Sequence, residues 1–158
     1  MTDILAVKKG DYLIDSDQIY QVVSVADGKV CYKSHAGSNS KVKCTIPSEN
    51  LEIAGFRKLM SEKEIKAMMA RIGEKGDKEN YNNKMVNEVV WSNDIEKIIP
   101  LLSEIYLLTL ANPEACKREQ ELVDDLSNML AREAAFVLKK DEEEVVKDIK
   151  KKLKKSLA

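Results

Sequence analysis

Residues 46–65 read IPSENLEIAGFRKLMSEKEI, and within them the chain changes its period. Before this stretch, apolar and polar residues alternate, as in half-buried strands. After it, apolar residues recur every three to four positions, as on one face of a helix. Pro47 cannot donate to a sheet ladder, so it closes the strand before it. Ser61 and Glu64 have the spacing of a capping box, in which each side chain satisfies the other's backbone N–H at a helix start. The fold class expected is therefore α+β. A small β module spans residues 1–55, and a bundle of four to five helices spans 56–158.

On the N-terminal side, GDYLID (10–15) opens the strand pattern and IYQVVSVADGKVCYK (19–33) continues it. Asp27-Gly28 separates two β-rich runs, a strong short-range signal for a two-residue hairpin. SHAGSNS (34–40) is a polar loop, and KVKCTI (41–46) alternates as a half-buried strand should. Four short strands joined by tight turns suggest a small, curled SH3- or Tudor-like barrel.

On the C-terminal side, Ile65, Met68, Met69 and Ile72 fall on one face of the helix that begins after Ser61. GEKGDKENYNN (73–83) is a polar linker, and a second helix is expected from Tyr81 to Val90. A third starts at the Asn93/Asp94 cap and runs through IEKIIPLLSEIYLLTL, with a kink or local break expected at Pro100. A fourth is expected from ANPEACKREQ, with Pro113 in its first turn, and carries an apolar stripe through 122–138 interrupted by Glu133. The last begins at DEEE and ends in lysines, as the helix dipole favours, with Val145, Val146, Ile149 and Leu153 facing inward.

Composition narrows the function classes. Charged residues make up 34% of the chain, yet the formal net charge is only −1, which excludes a strongly basic DNA-coating protein but leaves room for a local basic patch. No run of apolar residues is long enough to span a membrane, and the first residues, MTDILAVKKGD, predict no secretory signal. A cytoplasmic monomer is expected. The three cysteines, Cys31, Cys44 and Cys116, are an odd number in such a chain and predict free thiols. Cys31, His35 and Cys44 match no common zinc spacing, so no metal site is expected. No phosphate-cradling glycine motif and no nucleophile with a base partner is present. Without a catalytic constellation or a cofactor site, a binding protein is expected, and not an enzyme.

The junction itself is specific. Ile46-Pro47-Ser48-Glu49-Asn50 followed by Gly55-Phe56-Arg57 resembles the CarD/CdnL family of bacterial transcription regulators, whose barrel ends in V-P-x-x-N before a short glycine–apolar–arginine link. SNDIEKIIPLLSEIYLL (92–108) is similar to the family's S-G-D helix start. KREQELVDDLSNMLAREAAFVL (117–138) is similar to its penultimate helix, with Glu133 at a family glutamate. The resemblance runs from about Gly10 to Ile149. It implies a barrel that binds the β subunit of RNA polymerase, partly by adding to a sheet edge. It also implies a helical domain that lies on promoter DNA at the upstream edge of the transcription bubble, with an aromatic wedge in the minor groove and basic residues on the phosphates.

This chain departs from the family in two places. The Y-P-x-H-G loop is replaced by YLIDSDQIYQ, and Thr45 stands where the family often carries an arginine. Lys43 shares a strand face with Thr45 and could supply the charge, so Lys41, Lys43 and Thr45 are the expected polymerase contacts. The family's wedge tryptophan follows an asparagine, and the matching dipeptide here is Asn80-Tyr81. Tyr81, Asn82 and Lys84 are thus the expected DNA contacts. Trp91, the one tryptophan, has two readings: it packs against Ile95 and Ile98 and seats the next helix, or it is itself the contact. Register favours the first. A protein–protein adaptor of the same fold, without DNA contact, is the alternative function.

Overall fold

The structure is a computed structural model and describes residues 6–16, 18–35, 43–75, 82–112, 114 and 117–157. The chain forms two compact units, Met1–Leu59 and Met60–Ala158. The first is an antiparallel sheet and the second is helical, so the α+β class holds.

The sheet comprises β1 (Tyr12–Ile14), β2 (Ile19–Ala26), β3 (Lys29–Ser34), β4 (Lys43–Pro47) and β5 (Arg57–Lys58), in the order β4-β3-β2-β1-β5. The Asp27-Gly28 hairpin forms as expected. Ala26 lies opposite Lys29, and Asp27 and Gly28 have φ of 53° and 73°, the double positive φ of a type I′ turn. The sequence predicts four strands, and β5 is a fifth. It begins at Arg57, the last residue of the segment read as a link, and pairs Leu13 with Lys58 and Ile14 with Arg57. The strands at the two ends of this order, β4 and β5, do not pair with each other, so the sheet is open and not a closed barrel.

Leu13, Val22, Val30, Leu51 and Phe56 form the buried centre of this unit. Phe56 meets Tyr20 and Tyr32 edge to face, with ring centroids 5.3 and 5.1 Å away. The link residue is therefore a core residue, and a fully buried phenylalanine contributes about 1.5–3 kcal/mol. A polar network closes one end of the sheet: Tyr20 donates its hydroxyl to Asp15 (3.1 Å), Gln18 donates its amide to Tyr20 (3.0 Å), and Ser34 donates to Gln18 (2.7 Å). Burial is the main reason that the Tyr20 phenol is pushed up to about 12.

The helices are α1 (Glu62–Arg71), α2 (Asn83–Ser92), α3 (Ile95–Ala111), α4 (Lys117–Leu138) and α5 (Glu142–Leu157). The capping box is present: Glu64 N–H donates to Ser61 Oγ (3.2 Å) and Ser61 N–H donates to Glu64 Oε1 (3.1 Å). Helix α2 is shifted from its expected span, because Asn82 caps it through Met85 N–H at 2.8 Å. Asn93 then ends it in the left-handed region (φ 53°), and Asp94 caps α3. Asn93-Asp94 thus divides its work between two helices.

Helix α3 continues through Pro100, so of the kink or local break expected there the break does not occur. Ile98, Ile99, Leu101, Leu102, Ser103 and Ile105 are all buried around the proline. A helix enclosed on most sides is held by its packing, which outweighs the lost backbone hydrogen bond. It also extends to Ala111; the described part of α4 is Lys117–Leu138, and Pro113 lies outside the described residues. The α4 stripe is continuous: Glu133 is buried among apolar neighbours, and its carboxylate accepts the Met60 N–H at 2.7 Å. On α5, Val145, Ile149 and Leu153 are buried as expected, and Val146 is half-buried.

Candidate nucleic-acid and partner-contact surfaces

Two surfaces gather the candidate residues, one on each unit. On the sheet unit, β4 pairs only with β3 among the described residues and so stands at the end of the strand order. Its expected half-buried character is found only at Ile46, which packs against the core, while Lys43, Cys44 and Thr45 are exposed and Lys41 and Val42 lie outside the described residues. Alternation in β4 sorts side chains between two faces, and Ile46, on the Cys44 side, is half-buried against the core of the sheet unit. Lys43 and Thr45 lie on one face and Cys44 on the other. Cys31 pairs with Thr45, not with Cys44, so the two thiols are on opposite faces of the sheet and cannot be bridged. The outer edge of β4 offers backbone N–H and C=O groups to an incoming strand. Lys41, expected beside them, lies outside the described residues.

On the helical unit, α2 carries the candidates. Its inner face is set by buried Val86 and Val89, with Met85 and Val90 half-buried. Trp91 stands about 200° around the helix from Val89, since each residue turns about 100°. Trp91 is accordingly 61% exposed. The expectation that it packs against Ile95 and Ile98 is overturned: at its helical angle, the side chain points away from the core that those residues join. Lys84 lies two turns before Trp91 on the same outer face, about 10 Å away along the axis. Asn87 and Glu88 fall between them, and all four are exposed.

Lys84 sits in the first turn of α2, where the helix dipole favours an acid and disfavours a cation. Its charge therefore does not serve the helix. Asn82 is exposed and already engaged as the cap. One contributor was not legible in α2 itself. Arg118, from the start of α4, donates to the side-chain oxygen of Asn83, and so brings a guanidinium to the N-terminal end of α2. It lies 35 residues away in sequence, and no local pattern announces it. Tyr81, the wedge that register favours, lies outside the described residues.

Neighbouring charges are fixed otherwise. Arg71 reaches Glu96 with two hydrogen bonds (2.6 and 2.9 Å) and Glu74 with a third (3.0 Å), tying the end of α1 to the start of α3. The hydrogen bonds from Arg71 hold the Glu96 carboxyl below its ordinary range. The ring of His35 meets Tyr12 edge to face at 5.4 Å. Among the described residues no group of three or more His, Cys, Asp or Glu is placed to hold a metal ion, and no helix is long and apolar enough to cross a membrane. No family model and no curated protein matches the chain.

Proposed function

We propose that this chain is a CarD-like transcription regulator. In this reading the sheet unit is a divergent SH3/Tudor-like module that docks on the RNA polymerase β subunit through the β4 edge, with Lys41, Lys43 and Thr45 at the contact. The helical unit contacts promoter DNA at the upstream edge of the bubble and stabilises the open complex. The protein acts in the cytoplasm as a monomer, needs no cofactor and catalyses no reaction.

The observation that carries the reading is the exposure of Trp91 on the same face as Lys84. A large ring held in water forgoes the stability it would gain in a core, and beside a cation it is suited to an unstacked base step. Trp91 therefore takes the wedge role ahead of Tyr81, while Asn82, Lys84 and Arg118 flank it.

The test uses Trp91 as its own probe, since it is the one tryptophan. Its emission is followed while forked promoter DNA is added. Quenching that is lost in high salt supports the reading; unchanged emission at saturating DNA sinks it. Retention of the polymerase β subunit on the immobilised protein tests the other surface.

A second reading keeps the fold and removes the DNA. Glu88, placed between Lys84 and Trp91, repels phosphates, and the net charge of −1 gives no general attraction to nucleic acid. On this reading Trp91 anchors a protein partner, and binding is insensitive to salt and indifferent to DNA.

A further inference from the structure

Helices α1 and α5 run side by side in the same direction. Lys152 on α5 donates its ammonium to the Met69 carbonyl on α1 at 2.7 Å. Four residues further along each chain, Gly73 meets Ser156: a Cβ on Gly73 would come within 2.6 Å of the serine Cβ. Along this seam lies a groove of about 650 Å³. Met69, Leu138 and Val145 give it an apolar lining. Its walls carry five lysines against two acids, Glu62 and Asp148.

Two of the lysines are occupied. Lys66 pairs with Glu62 at 3.0 Å, and Lys152 holds the Met69 carbonyl. Lys140, Lys151 and Lys155 are exposed and form no ion pair among the described residues. Lys151 and Lys155 stand one turn apart on α5, where like charges weaken a helix. The helix dipole accounts for a cation in the last turn, such as Lys155, but not for Lys140, which precedes the helix. Three ammonium groups outside any ion pair thus stand around a recessed apolar surface, against one acid of the groove, Asp148, that is also outside any ion pair among the described residues.

We propose that this groove binds an acidic amphipathic helix of a partner protein. The partner's apolar stripe seats on Met69, Leu138 and Val145, and its carboxylates meet Lys140, Lys151 and Lys155. The charge excess selects an acidic occupant, and the apolar lining selects a peptide over a nucleic acid. A phosphate backbone is served by lysines on an open surface and has nothing apolar to place in the recess. A helix in a groove, read by apolar anchors at i, i+3, i+4 and i+7 with charges on the flanks, uses both features. The lysines then speed the encounter and set its polarity, while the lining slows dissociation. The groove lining shares no residue with β4 or with the outer face of α2, so the inference stands apart from the function proposed above.

The test titrates the full chain into a fluorescent acidic helical peptide with leucines at i, i+3, i+4 and i+7, followed by anisotropy. A peptide of the same composition with the leucine spacing scrambled, and a short DNA duplex, serve as comparators. The patterned peptide is expected to bind at least about tenfold more tightly than either. The double substitution Lys151→Glu/Lys155→Glu is expected to weaken it by about tenfold or more with an unchanged circular dichroism spectrum. Lys140→Glu, outside the helix, gives the same direction should the double variant misfold. Equal binding of patterned and scrambled peptides, or no binding with the protein folded, overturns the inference. Tighter binding of the duplex, lost on the same charge reversals, also overturns it and makes the groove a nucleic-acid contact.

Discussion

Trp91 shows how far one residue can be read from its neighbours. The exposed side was legible: Met85, Val86, Val89 and Val90 set the buried stripe of α2, and position 91 falls outside it. Placing it against Ile95 and Ile98 follows nearness in sequence, whereas the helical angle decides where a side chain points. Because the ring is 61% exposed, Trp91→Ala is expected to change stability by less than about 0.5 kcal/mol. The same variant is expected to lose DNA binding. A large fall in melting temperature would instead mark Trp91 as a packing residue. Glu133 is the opposite case, a charge that a binary pattern assigns to solvent and that the structure buries. Its carboxylate holds the Met60 N–H just ahead of the α1 cap, across 73 residues of sequence. Removing the acceptor leaves a sheltered donor unpaired, so Glu133→Ala is expected to cost about 2 kcal/mol. Glu133→Gln keeps an acceptor oxygen and is expected to cost less than half as much, which chemical denaturation can resolve. Equal losses in the two variants would show that the charge, not the hydrogen bond, is what the site uses.

At the level of elements, whatever local chemistry sets was legible and whatever strand order sets was not. Asp27-Gly28 demands positive φ at two successive positions, and Ser61 with Glu64 completes a cap, so both features follow from a few adjacent residues. Strand β5 has two residues, too few for any period to register, and only its pairing with β1 identifies it. The exposure of β4 likewise depends on its being last in the sheet, a fact about the other strands. Pro100 does not break α3, where buried residues surround it and tertiary packing carries the helix past the local signal. The edge position gives a direct test of the polymerase contact. Thr45 and Lys43 are exposed, so replacing them perturbs the fold little. Thr45→Arg supplies a planar fork able to hold a carboxylate with two hydrogen bonds, and is expected to raise retention of the polymerase β subunit several-fold. Lys43→Glu is expected to lower it. Retention that ignores both changes would remove β4 from the contact.

For the whole molecule, two units with separate cores respond separately to conditions. Tyr20 belongs to the sheet unit, and its raised phenol pKa means that the folded state holds the proton more tightly than the unfolded chain, whose value is near 10. That contribution is complete below pH 10 and is lost as pH rises towards 12. Urea midpoints followed by sheet and helix signals are expected to diverge across this window, the sheet falling first. Tyr20→Phe is expected to reduce the divergence, and an equal slope in that variant would assign the effect elsewhere. Two units also allow two weak contacts to act together. A net charge of −1 gives no long-range pull on DNA, and among the described residues the outer face of α2 offers Lys84 and the nearby Arg118 for phosphates. About two phosphates neutralised predicts a slope of about −2 for log affinity against log salt, shallow for a DNA-binding protein. Polymerase docking raises the effective concentration of the helical unit at the promoter, so occupancy on the polymerase–promoter complex is expected to exceed that on free DNA by at least about a hundredfold. Lys43→Glu should erase most of that gain without changing affinity for free DNA, and Trp91→Ala should weaken both. If the β4 variant instead alters free-DNA binding, the two contacts are not separable, and the division of labour between sheet and helices fails.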